Sequence, residues 1–216
     1  MLISVKNRFI FVANFESGSQ AVEDALLSAA EIHRRGAKRG THLFMRQAIP
    51  EYDFLFSQPE TGLQTFFKFG VMRDPANWIY ALYRHKAGLK ANRVAFRSKS
   101  FADFWQETRD SGEAASNKRQ QKDFFTRMKG GVLVDYLIPY ENLVDEFAFI
   151  CGHLGIAATL KLPVESPVDA LSEPLTAEIR QEIRDFYAQD YALLDTLAEI
   201  NARGMERLVT TRPATA

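Results

Sequence analysis

The stretch Phe9-Ile-Phe-Val-Ala-Asn-Phe-Glu-Ser-Gly-Ser-Gln20 decides the fold. Phe9 to Asn14 is a short continuous apolar run rich in Phe, Ile and Val, the pattern of a strand buried on both faces. Glu16-Ser-Gly-Ser19 breaks it. From Gln20 to His33 the apolar residues Val22, Leu26, Ala29, Ala30 and Ile32 recur at helical spacing. A strand, a glycine-bearing turn and a helix in that order form the opening unit of an α/β fold. A secretory leader over Phe9–Phe15 is set aside, because Glu16 follows and no small-residue cleavage site does.

Outward from this unit the alternation continues. Thr41 to Met45 reads as a second short strand or as the lead-in to a helix. Phe66 to Met72 is a strand ended by Arg73-Asp74-Pro75, with Asp74 placed as N-cap and Pro75 in the first turn of the next helix. Ser100 opens a helix bearing Phe101, Phe104 and Trp105, an aromatic stripe read as core. Ser111 to Lys122 is polar surface. Gly131 to Pro139 is a third strand, followed by a helix with Leu143, Phe147, Ile150, Cys151 and Leu154 on one face, closed by Gly155 as a left-handed cap. Residues 157–174 form an extended, proline-bearing loop, and Ile179 to Ile200 one long amphipathic helix. The expectation is a three-layer α/β/α fold around a central, mostly parallel sheet. It comprises one domain over residues 1–209 with a frayed tail at 210–216.

Composition bounds the partners. The 216 residues carry 27 Lys+Arg against 27 Asp+Glu, so no net charge draws the chain to nucleic acid or to an anionic membrane. No apolar run approaches the ~18 residues of a membrane span. The lone Cys151 cannot make an internal disulfide, and four scattered histidines give no zinc spacing. A soluble cytoplasmic protein without metal is the expectation. Seventeen Phe make a homodimer unsurprising.

Two turns have the chemistry to hold phosphate. In Asn14-Phe-Glu-Ser-Gly-Ser-Gln20, backbone N–H groups of Ser17, Gly18, Ser19 and Gln20 converge at a positive helix end. The competing reading is an ordinary tight turn, and the two glycines and Lys-Ser/Thr of a Walker loop are missing. In Val71-Met-Arg-Asp-Pro75, Arg73 sits at the carboxyl end of a strand, where ligands of open α/β sheets gather and a guanidinium forks onto phosphate oxygens. Alternatively, Arg73 pairs with Asp74 or another loop carboxylate.

Together these segments resemble the sulfotransferase superfamily, in particular small bacterial proteins related to carbohydrate 2-O-sulfotransferases. The resemblance runs from about Arg8 to Leu194. The first turn is similar to the family's Pro-Lys-Thr-Gly-Gly/Ser-Thr-Ser loop, which holds the 5′-phosphosulfate of the donor PAPS (3′-phosphoadenosine-5′-phosphosulfate). Phe69 to Tyr83 resembles Phe-x-x-Val-Arg-Asp/Asn-Pro-x-x-Arg-x-x-Ser-x-Tyr, which holds the 3′-phosphate. Leu137 to Leu143, Cys151 to Ile156 and Phe186 to Leu194 are similar to the family's Glu-Asn-Leu, Leu-Gly-Ile and Tyr-x-x-Asp-Tyr-x-Leu segments. The resemblance implies a P-loop-like nucleotide-binding architecture. It also implies sulfuryl transfer from PAPS to a hydroxyl of a carbohydrate or small metabolite, with no metal and no nucleic acid partner. Ser17 to Gln20 would lie on the 5′-phosphosulfate and Arg73 on the 3′-phosphate. His42, in Thr41-His42 where the family has Lys-His, would be the base. A hydrogen-bonded histidine at an element boundary is the competing reading of His42, and Glu16 is a second, poorer candidate base.

The sequence departs from the family at the catalytic lysine, where Glu16 stands. Losing a positioned donor costs on the order of 3 kcal/mol in the transition state. A carboxylate ~4 Å from a phosphosulfate oxygen adds up to ~4 kcal/mol of repulsion at a surface-like dielectric. Lys6, Arg46 and Arg84 are the cations considered as substitutes. The family's second arginine and later serine are Trp78 and Ala81. These departures motivate an alternative: a catalytically impaired relative that keeps a nucleotide pocket as a binding or regulatory module. An ordinary P-loop kinase fits less well, since no Walker lysine or clear magnesium-binding strand-end acid is visible. His85 is read as part of a solvated helix face, and His153 as structural.

Overall fold

A computed structural model of the chain describes residues 1–34, 42–89, 99–111, 120–162 and 175–211. Five strands form one sheet: β1 (Leu2–Ser4), β2 (Phe9–Val12), β3 (Ile32–His33), β4 (Phe67–Met72) and β5 (Tyr136–Pro139), in the order β3-β1-β2-β4-β5. β2, β4 and β5 run parallel, so the loops that leave β2 and β4 emerge side by side. β1 lies antiparallel to both β2 and β3, which makes the sheet mixed rather than mostly parallel throughout. Strand β1 returns into β2 through a tight turn in which Ser4 Oγ accepts from the Asn7 N–H at 3.1 Å and Arg8 adopts φ 55°.

Ten helices complete the described chain: α1 (Ser19–Leu26), α2 (Met45–Glu51), α3 (Asp53–Phe56), α4 (Pro75–Leu89), α5 (Phe101–Asp110), α6 (Lys122–Phe125), α7 (Leu143–Leu154), α8 (Ala177–Phe186), α9 (Ala188–Leu194) and α10 (Leu197–Thr211). Strand side chains alternate between faces. Phe9, Phe11, Phe69, Val71 and Ile138 pack against α1 and α7 through Val22, Leu26, Phe147 and Ile150. Ile10, Val12, Met72 and Leu137 pack on the opposite face against α2, α6 and α10 through Met45, Phe124, Phe125 and Ile200. Helices therefore cover both faces, as expected. A third cluster joins α4, α5 and α8, where Trp78, Phe101, Phe104, Trp105 and Ile183 are buried. The aromatic stripe is core.

Several caps stand where the sequence places them. Asp74 Oδ1 accepts from the Asn77 N–H at 3.0 Å, and Ser100 Oγ accepts from the Asp103 N–H at 3.0 Å. Gly155 ends α7 at φ 68°. Three boundaries differ. The first helix stops at Leu26, a single tight turn follows, and extended Ala30 sends Ile32–His33 into the sheet edge. The third strand begins only at Tyr136, because Gly130 and Gly131 at φ 88° and 87° reverse the chain first. His42 to Phe44 is the lead-in to α2, the second of the two readings that the sequence allows there. The long C-terminal helix is three helices, interrupted at Tyr187 and at Asp195–Thr196, where Thr196 Oγ donates back to the Leu193 carbonyl. Thr41, most of the polar stretch from Ser111, residues 163–174 of the proline-bearing loop and the tail beyond 211 lie outside the described residues.

Helix α10 covers the outer edge of β5. Asn201 accepts from the Leu137 N–H at 2.8 Å and donates to its carbonyl at 2.9 Å, supplying both ladder bonds a further strand would make. No helix among the described residues is long and apolar enough to cross a membrane.

Candidate functional site

The parallel pairing of β2 with β4 brings the two phosphate-type turns together. In the first turn the serine hydroxyls face inward. Ser19 Oγ accepts from the Asn14 N–H at 3.0 Å, Ser17 Oγ donates to the Asn14 carbonyl at 3.2 Å, and the two hydroxyls lie 2.9 Å apart. This leaves the backbone as the turn's outward chemistry. Among the described residues, the N–H groups of Gly18, Ser19 and Gln20 have no acceptor in the chain, while the hydrogen-bonded turn over Phe15 and Glu16 takes up that of Ser17. They sit at the amino end of α1, where the helix dipole and open donors suit an anion.

Gly18 adopts φ 74°, and a Cβ built there would lie 2.6 Å from Leu143 Cδ2 and 3.3 Å from Tyr140 Cε2. Only glycine fits. Glu16 also has positive φ, 46°, without being glycine, a conformation that costs an L-residue about 1–2 kcal/mol. Such strain gathers at functional sites.

The second turn delivers Arg73. Its guanidinium stacks on the Tyr140 ring at 4.0 Å, and Nη1 donates to the Glu16 carbonyl at 3.3 Å. Nε is buried with no partner among the described residues. The competing pairing with Asp74 is not made: Asp74 caps α4. Gln121 clasps the Arg73 backbone from behind, accepting from its N–H at 3.1 Å and donating to its carbonyl at 2.7 Å.

Trp78, which the sequence resemblance sets opposite an arginine, is buried edge-on to Tyr187. Its indole N–H donates to the Phe15 carbonyl at 2.6 Å. It supports the loop from beneath and presents no cation. Ala81 is half-buried on α4.

Three titratable residues surround the first turn. Burial raises the Glu16 carboxyl above its ordinary range, and the charges of His85 and Arg73 oppose the rise. His85 Nδ1 lies 3.4 Å from Glu16 Oε1, with the imidazole half exposed and the carboxylate about one quarter exposed. The solvated-face reading of His85 is therefore incomplete: the side chain is wet, but it faces the loop carboxylate. His42 is half-buried against the Phe15 ring at a centroid distance of 4.0 Å, with Nδ1 3.3 Å from the Ala13 carbonyl. It borders the same loop in a hydrogen-bonded, packed setting. His153 lies elsewhere, its Nδ1 3.0 Å from the Phe149 carbonyl of its own helix.

Two of the cations weighed as substitutes for a loop lysine stand away from the first turn. Arg46 donates to the Asp123 carbonyl at 2.6 Å and stacks on Phe44, and Lys6 lies in the β1–β2 turn at the opposite end of β2. Among the described residues no group of three or more His, Cys, Asp or Glu is arranged to hold a metal ion.

Gln121, Tyr140 and the Glu16–His85 pairing are not signalled by the sequence. Gln121 falls in a polar run, and both Tyr140 and His85 reach the site only through tertiary packing. The fold and site thus define an α/β protein whose strand–turn–helix presents open N–H donors beside an arginine. No protein-family model, curated protein or solved structure matches the chain.

Proposed function

We propose that this chain is a sulfotransferase-like protein whose first turn and Arg73 receive the phosphate groups of PAPS, for sulfuryl transfer to a hydroxyl of a carbohydrate or small metabolite. The carrying observation is the contact of Arg73 Nη1 with the Glu16 carbonyl at 3.3 Å, which sets a guanidinium beside the backbone N–H groups of Gly18, Ser19 and Gln20. Two turns distant in sequence thereby share one anion-facing surface. The donor supplies an activated sulfuryl group. The protein's part is to hold it, orient the hydroxyl and accept the hydroxyl's proton. His42 and Glu16 border the loop on different sides and are the two groups available for the proton.

Glu16 favours a second reading, a nucleotide-binding relative that does not transfer. A carboxylate replaces the lysine that would balance charge on the departing nucleotide, and neither Lys6 nor Arg46 compensates. Calorimetry with adenosine 3′,5′-bisphosphate, the spent donor, tests what both readings share. Micromolar to submillimolar binding is expected, and no heat up to millimolar ligand discards both. Where binding is found, incubation with labelled PAPS and a panel of hydroxylated acceptors separates them: label in a product supports transfer, and its absence supports the binding module.

A further inference from the structure

The residue that clasps Arg73 is itself held from a third element. Gln121 Oε1 accepts from Asn14 Nδ2 at 3.0 Å as well as from the Arg73 N–H, so one amide ties the end of β2 to the end of β4. The Gln121 backbone N–H donates to Asp190 Oδ2 at 2.9 Å, and the Lys122 N–H donates to Asp190 Oδ1 at 2.8 Å. Asp190 and Gln121 are both fully buried. The chain of contacts therefore runs from a carboxylate on α9, through the start of α6, to both turns of the site. Asn14 Oδ1 and Arg73 Nε, on the far side of this chain, are buried without partners among the described residues.

A cap alone does not require this arrangement. A neutral side chain meeting one N–H group, with water meeting the other, would cap the helix at less desolvation cost, since burying a carboxylate is expensive. Both carboxylate oxygens are used at once, one on each N–H, which fixes the Gln121 backbone in two directions. The Gln121 amide in turn uses its oxygen twice and its nitrogen once, so it cannot shift without releasing Asn14 or Arg73. We propose that Asp190 and Gln121 are positioning residues that set the separation of the Asn14–Ser19 loop from Arg73, so that one phosphorylated ligand meets both. This rests on the anion-site reading above.

Ionisation of Asp190 controls the brace. Lys122 and Asp123 of α6 and Tyr187 at the head of α9 are the ionisable groups that act on it, and burial raises its carboxyl to about 7. Protonation turns one oxygen into a donor, and one of the two N–H groups loses its acceptor.

The test compares the wild type with Asp190→Asn and Gln121→Met in two measurements. Amide hydrogen exchange without nucleotide is expected to quicken in Asn14–Ser19, Arg73 and Gln121–Phe124 and to stay unchanged in β5 and α7. Unchanged exchange at Asn14–Ser19, or acceleration spread over the whole chain, overturns the positioning role. Calorimetry with adenosine 3′,5′-bisphosphate is expected to give an affinity ratio of wild type to Asp190→Asn of about ten-fold at about pH 8. The ratio should fall toward unity at about pH 6, as a lost hydrogen bond to a charged group predicts. A ratio near unity at both pH values also overturns the proposal. If the wild type binds no nucleotide, the anion-site reading fails, and the exchange pattern alone decides whether Asp190 sets the loop.

Discussion

Arg73 Nη1 donates to the Glu16 carbonyl at 3.3 Å while the same guanidinium stacks on Tyr140 at 4.0 Å. The arginine is oriented by a carbonyl and an aromatic face, and among the described residues no carboxylate oxygen comes within ion-pair distance, although its charge acts on the Glu16 carboxyl. Its charge therefore remains available to an anion. Arg73→Ala is expected to weaken adenosine 3′,5′-bisphosphate by roughly 10- to 100-fold, the equivalent of the roughly 1.5–3 kcal/mol of hydrogen bonds to a charged group. Arg73→Lys keeps the charge but loses the fork and most of the stacking, so it falls between. Calorimetry reads both; wild-type affinity in Arg73→Ala removes the arginine from the site.

Gly18 holds φ 74° directly under Tyr140 and Leu143. Gly18→Ala adds backbone strain and drives a Cβ to 2.6 Å from Leu143 Cδ2, so either the loop or α7 must move. A loss of about 1–3 kcal/mol in urea denaturation is expected from the sum of strain and overpacking. Ligand affinity should fall with it, because Tyr140 carries Arg73. A variant as stable as the wild type would mean that the loop does not hold this conformation.

Much of the local structure around the two turns is legible in the sequence because it depends on short-range signals. The apolar run into Glu16-Ser-Gly-Ser19, the Arg73-Asp74-Pro75 turn with its cap, and Gly155 each depend on neighbouring residues. β1 and β3 are not legible: three and two residues are too short to show alternation, and they exist through pairing with each other and with β2. The breaks at Tyr187 and Thr196 are hidden because the apolar periodicity continues across them. Gln121 and His85 act on partners 48 and 69 positions away, Arg73 and Glu16, and no spacing encodes such contacts.

Asp190 links the site to stability. Its carboxyl stands at about 7 in the folded chain, raised by burial, against about 3.9 for an unperturbed Asp. The folded state binds the proton more tightly, so this group's contribution to stability is fully present below about pH 3.9 and lost as pH rises through about 7. The span corresponds to on the order of 4 kcal/mol. Urea denaturation between those limits should show a downward slope with pH in the wild type that Asp190→Asn lacks. Parallel slopes would place the carboxyl's pKa near its ordinary value.

An arginine at position 78 should not be tolerated. Trp78 is 1% exposed, packs against Tyr187 and donates to the Phe15 carbonyl at 2.6 Å. Trp78→Arg buries a charge without an anionic partner and removes an aromatic pair, and a loss of more than about 3 kcal/mol or failure to fold is expected. Trp78→Phe keeps the ring and loses only the indole donor, leaving the Phe15 carbonyl unsatisfied at about 1–2 kcal/mol. If Trp78→Arg folds and tightens nucleotide, the side chain reaches the site and the loop is not supported from beneath.

Glu16 decides between the two functional readings, and His85 decides how much harm its charge does. The imidazole at 3.4 Å and the Arg73 charge both favour the ionised carboxylate, while burial opposes it. An anion arriving at the loop adds a further penalty to ionisation. Removing the charge with Glu16→Gln is therefore expected to tighten adenosine 3′,5′-bisphosphate by about ten-fold, and Glu16→Lys by more, as the attraction replaces a repulsion of ~1–4 kcal/mol. His85→Ala should weaken binding in the wild type, where it exposes the carboxylate, and leave affinity unchanged in Glu16→Gln. That double-mutant cycle isolates the pair from any direct contact of His85 with ligand. Weaker binding by Glu16→Gln would reverse the sign of the argument and make the carboxyl a group that the ligand needs, as a hydrogen-bond partner or as the acceptor of a hydroxyl's proton.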